Sequence, residues 1–349
     1  MPHSHLRDRR ILVLSVGSAA APTAIRVLAS AGADVFAGDA SLHSEGLYLV
    51  PESNRVHHAP LESVEAIPEL IRECRRLEIE LIVPTASEGF LNLAAARRLF
   101  AVNGVRVLVP SVHAAMLALD RYEFTREIEG RFPMPRTYIG EALRRAIASP
   151  LPLEIEGREP ESQIARQRIT SSVVPIEPAG WDALIGRRIL PGPELHVLTF
   201  RPSTAVPSAS IAIEVIEKFG HVDEVFAYRV VLDPVAIQLA EDVVEALELD
   251  GLASVRIVKG PCDRPEVVSI DPFAHPAHRL AAMAGRNLLV ASATNALGID
   301  FQLSEEPPLE LTSVQIIDEL LVPSDAAFAL GGQRTSELGG AAIETSPNI

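Results

Sequence analysis

Lysine is nearly missing from this chain. Lys218 and Lys259 stand against 29 arginines in 349 residues, a skew resembling the codon bias of a GC-rich genome, and no lysine precedes Lys218. Cysteine is scarce as well. Cys74 and Cys262 lie far apart, which excludes a disulfide framework and suits a reducing cytoplasm. The formal charge of -15 argues against general adhesion to nucleic acid or anionic membrane, since such a surface repels phosphate. No apolar run approaches the ~18–20 residues that span a bilayer, and MPHSHLRDRR leads into a strand without the apolar segment of a signal peptide. The expectation is a soluble cytoplasmic protein.

Glycine is also sparse where a dinucleotide would need it. The first loop, VGSAAAP, has one glycine, whereas the G-x-G-x-x-G fingerprint brings backbone against a pyrophosphate at several. A nicotinamide-dependent oxidoreductase therefore rests on nothing but the N-terminal sheet. No internal repeat is present.

What remains is strongly patterned. ILVLSVG (11–17), ADVFAGD (33–39), RVHHAP (55–60), ELIVPT (80–85) and VRVLVPS (105–111) are short apolar runs with helical patterns between most of them. Such alternation predicts a Rossmann-like, doubly wound parallel sheet over residues 1–112. Helices follow Ser111, and residues 150–185 become polar, with a helix-like EPAGWDALIG. RRILPGPELHVLTF (187–200) and PSASIAIEVIEKFGHVDEVFAYRVVL (207–232) read as antiparallel strands turning at Phe219-Gly220-His221. Residues 233–251 form the best helix, with Asp233 as cap and Pro234 in the first position. ASVRIVKG and PEVVSIDP are strands around GPCDRP, and the tail after Leu330 has a disordered composition.

Several stretches, in order across residues 10–300, resemble the ATP-grasp superfamily, most closely the carbamoyl-phosphate synthetase large chain and its carboxylate-amine ligase relatives. They are PTASEGFLNLA, Asp120-Arg121 with Thr125, PMPRTYIG (133–140), LPGPEL (190–195), ASVRIVK, VVSIDPF and AAMAGRNL. The resemblance implies an α/β and α+β chain. Its expected units are a pre-ATP-grasp domain (1–112), linker helices with the small ATP-grasp subdomain (113–188), the C-terminal ATP-grasp subdomain (189–328) and a disordered tail (329–349).

It also implies an enzyme that clamps ATP and magnesium between two subdomains, phosphorylates a carboxylate and lets an amine or thiol attack the acyl phosphate. That chemistry needs cations around the phosphates and hard ligands for the metal. The implied nucleotide residues are Arg121 as a phosphate cation, Arg158 as a substitute for a second, Arg188 and Leu190 along the adenine, and Glu194 near the ribose.

Other positions depart from the pattern. Glu156-Gly157 replaces the family's Lys-Pro or Arg-Pro, and a carboxylate there repels a triphosphate by about a few kcal/mol. REPESQIARQ has no glycine for a phosphate flap. Where the family has glutamine and then Glu-x-Asn-Pro-Arg, this chain reads Arg256 and then Ser269-Ile270-Asp271-Pro272-Phe273. Asp271 is either a lone magnesium ligand or, more simply, the ion-pair partner of Arg256. His275 and His278 could join Asp271 around a transition metal, or be solvated histidines at a helix end.

The expectation is an ATP-grasp-fold protein with a degenerate Mg-ATP site, a non-catalytic or regulatory subunit or small-molecule binder. Possible partners are a second copy or an intact ATP-grasp paralogue, as the resemblance implies. The alternative is an active, divergent carboxylate-amine or carboxylate-thiol ligase.

Overall fold

The computed structural model describes residues 5–148, 152–159, 167–169, 178–202, 208–218 and 225–315. The first unit contains β1 (Arg10–Leu14), α1 (Ala21–Ser30), β2 (Asp34–Asp39), β3 (Arg55–His57), α2 (Ala66–Arg76), β4 (Leu81–Pro84), α3 (Phe90–Val102) and β5 (Arg106–Val107). Its strands are all parallel, in the order β3-β2-β1-β4-β5. Alternate residues of β1 enter different cores: Ile11 and Val13 on one face, Leu12 and Leu14 on the other. Burial on both faces explains the unbroken apolar runs.

Helices α4 (Val112–Leu119) and α5 (Arg121–Ile128) lead out of this unit. Ser111 caps the first through the Ala114 amide, and Asp120 caps the second through Tyr122 and Glu123. A small antiparallel sheet follows, made of β6 (Thr137–Ile139), β7 (Leu153–Gly157), β8 (Gln167–Ile169) and β9 (Leu184–Arg188), in the order β6-β9-β7-β8. Helix α6 (Gly140–Ile147) covers one face through Leu143, Ala146 and Ile147, which pack on Leu153, Ile155 and Leu184. The helix expected at EPAGWDALIG is instead a 3-10 turn over Pro178–Ala183 followed by β9. Strand pairing of Leu184–Arg188 with β7 and β6 outweighs the local helical pattern.

The large sheet runs β14-β13-β10-β11-β12-β15, antiparallel throughout. Its strands are β10 (Glu194–Arg201), β11 (Ala209–Lys218), β12 (Val225–Val231), β13 (Gly251–Lys259), β14 (Pro265–Asp271) and β15 (Thr312–Val314). The turn expected at Phe219-Gly220-His221 and the tail after Leu330 lie outside the described residues. Helix α7 (Pro234–Ala246), capped by Asp233 as expected, packs on one face through Leu239, Ala240 and Val243. The other face contributes Leu198, Phe200, Ile211 and Ile213 to the core that also holds Ile11 and Val13. Helices α8 (His278–Met283) and α9 (Leu288–Leu297) belong to that same core. Large sheet and first unit are thus joined by continuous apolar packing.

The connection from β9 to β10 is LPGPEL. Gly192 donates its amide to Lys259 O at 2.9 Å, and Lys259 returns its own to Pro193 O at 3.0 Å. A Cβ at position 192 would lie 2.4 Å from Lys259 O, so only glycine permits this approach of two backbones. Replacing Gly192 by alanine is expected to destabilise the protein by about 1–3 kcal/mol. Urea unfolding of the variant beside the parent measures this.

Candidate functional site

The site lies where the open face of the small sheet meets the large sheet. Strand alternation decides its composition. Leu153 and Ile155 of β7 point into the α6 core, which turns Glu154 and Glu156 the other way. Both glutamates are buried, at 8% and 4% exposure, as is Arg187 of β9 at 2%. On the large sheet Val255 and Ile257 face α7. Arg256 between them is 3% exposed on the opposite side.

Arg256 and Glu154 pair across the interface, and the other charges pair within each sheet or with α5. Arg256 Nη2 donates to Glu154 Oε1 and to Glu194 Oε2, each at 3.0 Å. Glu194 also accepts from Lys218 Nζ at 2.9 Å, and His196 Nε2 lies 3.5 Å from its other oxygen. Arg187 Nη1 donates to Glu156 Oε1. Arg121 approaches the other Glu156 oxygen at 3.6 Å and donates to Gly157 O at 2.9 Å.

Electrostatics follow from that geometry. Burial alone would raise the Glu194 pKa, but Arg256 and the hydrogen bond from His196 overcome it and hold the carboxyl well below its ordinary range. Burial likewise opposes the charge on Arg256, and Glu194 and Glu154 more than restore it. Arg187 is pulled down by burial and by the neighbouring charges of Arg121 and Arg256, against Glu156. It stays a cation nonetheless, as arginine does in proteins.

The residues singled out in the sequence are only partly brought together. Arg188, Leu190 and Glu194 line one cavity of about 40 Å³, with Arg187, Arg256 and Glu154. Arg121 is held by Glu156. Arg158 turns to Asp120, with its Nη2 2.6 Å from Oδ2. Neither Arg121, Arg158 nor Asp271 lines that cavity.

The expected Arg256–Asp271 pair does not form. Arg256 stands opposite Ser269, and Asp271 opposite Ser254, so the guanidinium reaches across to the small sheet. Phe273 packs edge-on against Phe90 of the first unit, ring centres 5.8 Å apart. His275 and His278 are not solvated. They are 9% and 1% exposed, His275 stacks on His196 at 4.5 Å, and no metal-binding cluster exists among the described residues. Glu154 and Arg187, central to the network, were missed in the sequence. The signal for Glu154 was charge at alternate positions of an otherwise apolar strand, and Arg187 had only its place at the end of the apolar run 184–186.

No family model matches the sequence, and no curated protein matches it significantly. An ADP complex of N5-carboxyaminoimidazole ribonucleotide synthetase superposes with a TM-score of 0.70 at 13% identity, over 89% of this chain and 82% of that one. An ADP complex of the Staphylococcus aureus N5-carboxyaminoimidazole synthetase gives 0.68 at 12%, over 96% and 88%. The L-amino acid ligase of Bacillus licheniformis gives 0.63 at 12%, over 84% and 75%. The chain has the ATP-grasp fold. Among the described residues, no helix of this ATP-grasp-fold chain is long and apolar enough to cross a membrane.

Two measurements probe the network. Arg256→Met leaves Glu154 and Glu194 facing each other without their shared cation, and a loss of about 3–5 kcal/mol is expected in urea unfolding. Burial lowers the His278 pKa from 6.5 to about 4 and that of His275 well below 6.5, so the unfolded state binds more protons and stability falls as pH drops from about 6.5. The Glu194 contribution is present above the unfolded carboxylate value, ~4.3, and is lost below it. Both His278 ring nitrogens are buried without a hydrogen-bond partner among the described residues. His278→Leu should therefore leave the unfolding free energy at pH 7 equal or higher and flatten its slope between pH 6.5 and 4.

Proposed function

We propose that this protein does not carry out Mg-ATP chemistry and works as a regulatory or partner subunit, or as a small-molecule binder, built on the ATP-grasp fold. The observation that carries the reading is the buried network of Glu154, Glu156 and Glu194 with Arg187 and Arg256, where small and large sheets face each other. A triphosphate needs cations whose charge is available to it. Here Arg121, Arg187 and Arg256 each already meet a carboxylate of the chain itself.

Space also disfavours a nucleotide in this cleft. The cavity at the β9–β10 hinge measures about 40 Å³, whereas small-molecule sites usually occupy about 300–1,000 Å³. Metal chemistry is equally ill served, because Ser269 and Phe273 stand where the resemblance expects a carboxylate and an arginine, and magnesium asks for several hard oxygens in near-octahedral array. These residues do not fit Mg-ATP.

Exposed Leu99, Val102 and Met116 on α3 and α4 are consistent with work beside a partner, either a second copy or an intact paralogue. Calorimetric titration with ATP, with and without magnesium, tests the reading. The expected result is no saturable heat up to about 1 mM, a binding free energy weaker than roughly -4 kcal/mol. Magnesium-dependent affinity in the micromolar range overturns it and favours the divergent ligase.

A further inference from the structure

We infer that the cavity between Arg187 and Arg256 binds a small monovalent anion, a halide or a planar oxyanion, which bridges two buried guanidiniums and ties the small sheet to the large one. The inference rests on the closed-cleft reading above and names the ligand class of that same cleft.

Unmatched donors motivate it. Nε and Nη2 of Arg187, and Nε and Nη1 of Arg256, are buried and have no hydrogen-bond partner among the described residues. Both side chains are more than nine-tenths buried and line the same cavity. Buried guanidinium N–H groups are almost always matched in folded proteins, and a charged donor left unmatched is among the costlier defects. The carboxylates present do not cover these edges: Glu154 and Glu194 accept from Nη2 of Arg256, and Glu156 from Nη1 of Arg187.

Charge and size then select the ligand. Arg168, Arg187, Arg188 and Arg256 line the cavity against Glu154 and Glu194, with Glu156 on the other edge of Arg187, so four cations face three carboxylates and one positive charge remains in excess. Water could fill the volume but would leave that excess and the repulsion between Arg187 and Arg256 uncorrected. An anion corrects both, and the guanidinium fork suits a halide or a flat pair of oxygens. A volume of about 40 Å³, against the ~10–15 Å³ that admits one water, has room for a few heavy atoms. A nucleotide is far too large.

The test uses the whole chain. Crystals soaked in sodium bromide are expected to show an anomalous peak within hydrogen-bonding reach of both Arg187 and Arg256. In solution, nitrate replacing gluconate at fixed ionic strength should raise the unfolding midpoint saturably, by about 2–4 °C at ten times its dissociation constant. Arg187→Lys keeps the charge but loses the fork, and should move the half-effect concentration upward at least tenfold. If that variant does not fold, the bromide and nitrate measurements on the unaltered chain decide alone. No bromide peak together with no saturable nitrate effect overturns the anion site and leaves water there. Micromolar, magnesium-dependent ATP binding would instead bring down the closed-cleft reading, so the two failures are distinguishable.

Discussion

Arg256 is the constraint around which this structure is arranged. A guanidinium 3% exposed cannot be tolerated in a sheet interior unless carboxylates meet it, because desolvating a lone charge costs several kcal/mol or more. One carboxylate comes from its own sheet, Glu194, and the other from the small sheet, Glu154. Position 256 therefore fixes the distance between the two sheets. The same requirement repeats at Arg187, which is buried against Glu156 of its own sheet.

The fold was largely legible because its signals are local. Continuous apolar runs announced the parallel strands, Asp233-Pro234 announced α7, and the hinge LPGPEL matched a stretch whose backbone contact with Lys259 depends on Gly192. The site was less legible because its pairs are distant. Glu154 and Arg256 are 102 positions apart, and Glu194 and Arg256 62. Proximity on adjacent strands suggested Arg256 with Asp271, but register decides such a contact. Arg256 is paired with Ser269 beside an irregularity before Ile257, and its side chain leaves the sheet toward the small unit.

Histidines illustrate the same limit in another form. His275 and His278 follow a turn, where a sequence reading places solvent. In the fold that turn meets the core shared by α1, α8 and the first unit, and both rings end buried. Tertiary packing thus converts residues that look like surface titrating groups into neutral fillers, and makes the protein sensitive to acid before its carboxylates begin to protonate.

Adhesion and alignment are also divided between different parts of the molecule. The first unit and the large sheet share one apolar core, from Ile11 and Val13 to Leu198 and Phe200, and separating them would expose that surface. The small sheet has its own core around Leu143, Ile155 and Leu184, and meets the large sheet through charges. Parting charges into water returns their hydration, which offsets most of the Coulomb attraction lost. The small sheet is accordingly the part whose position the network specifies without holding it strongly. Across that boundary the alignment of the two sheets comes from the Arg256–Glu154 ion pair.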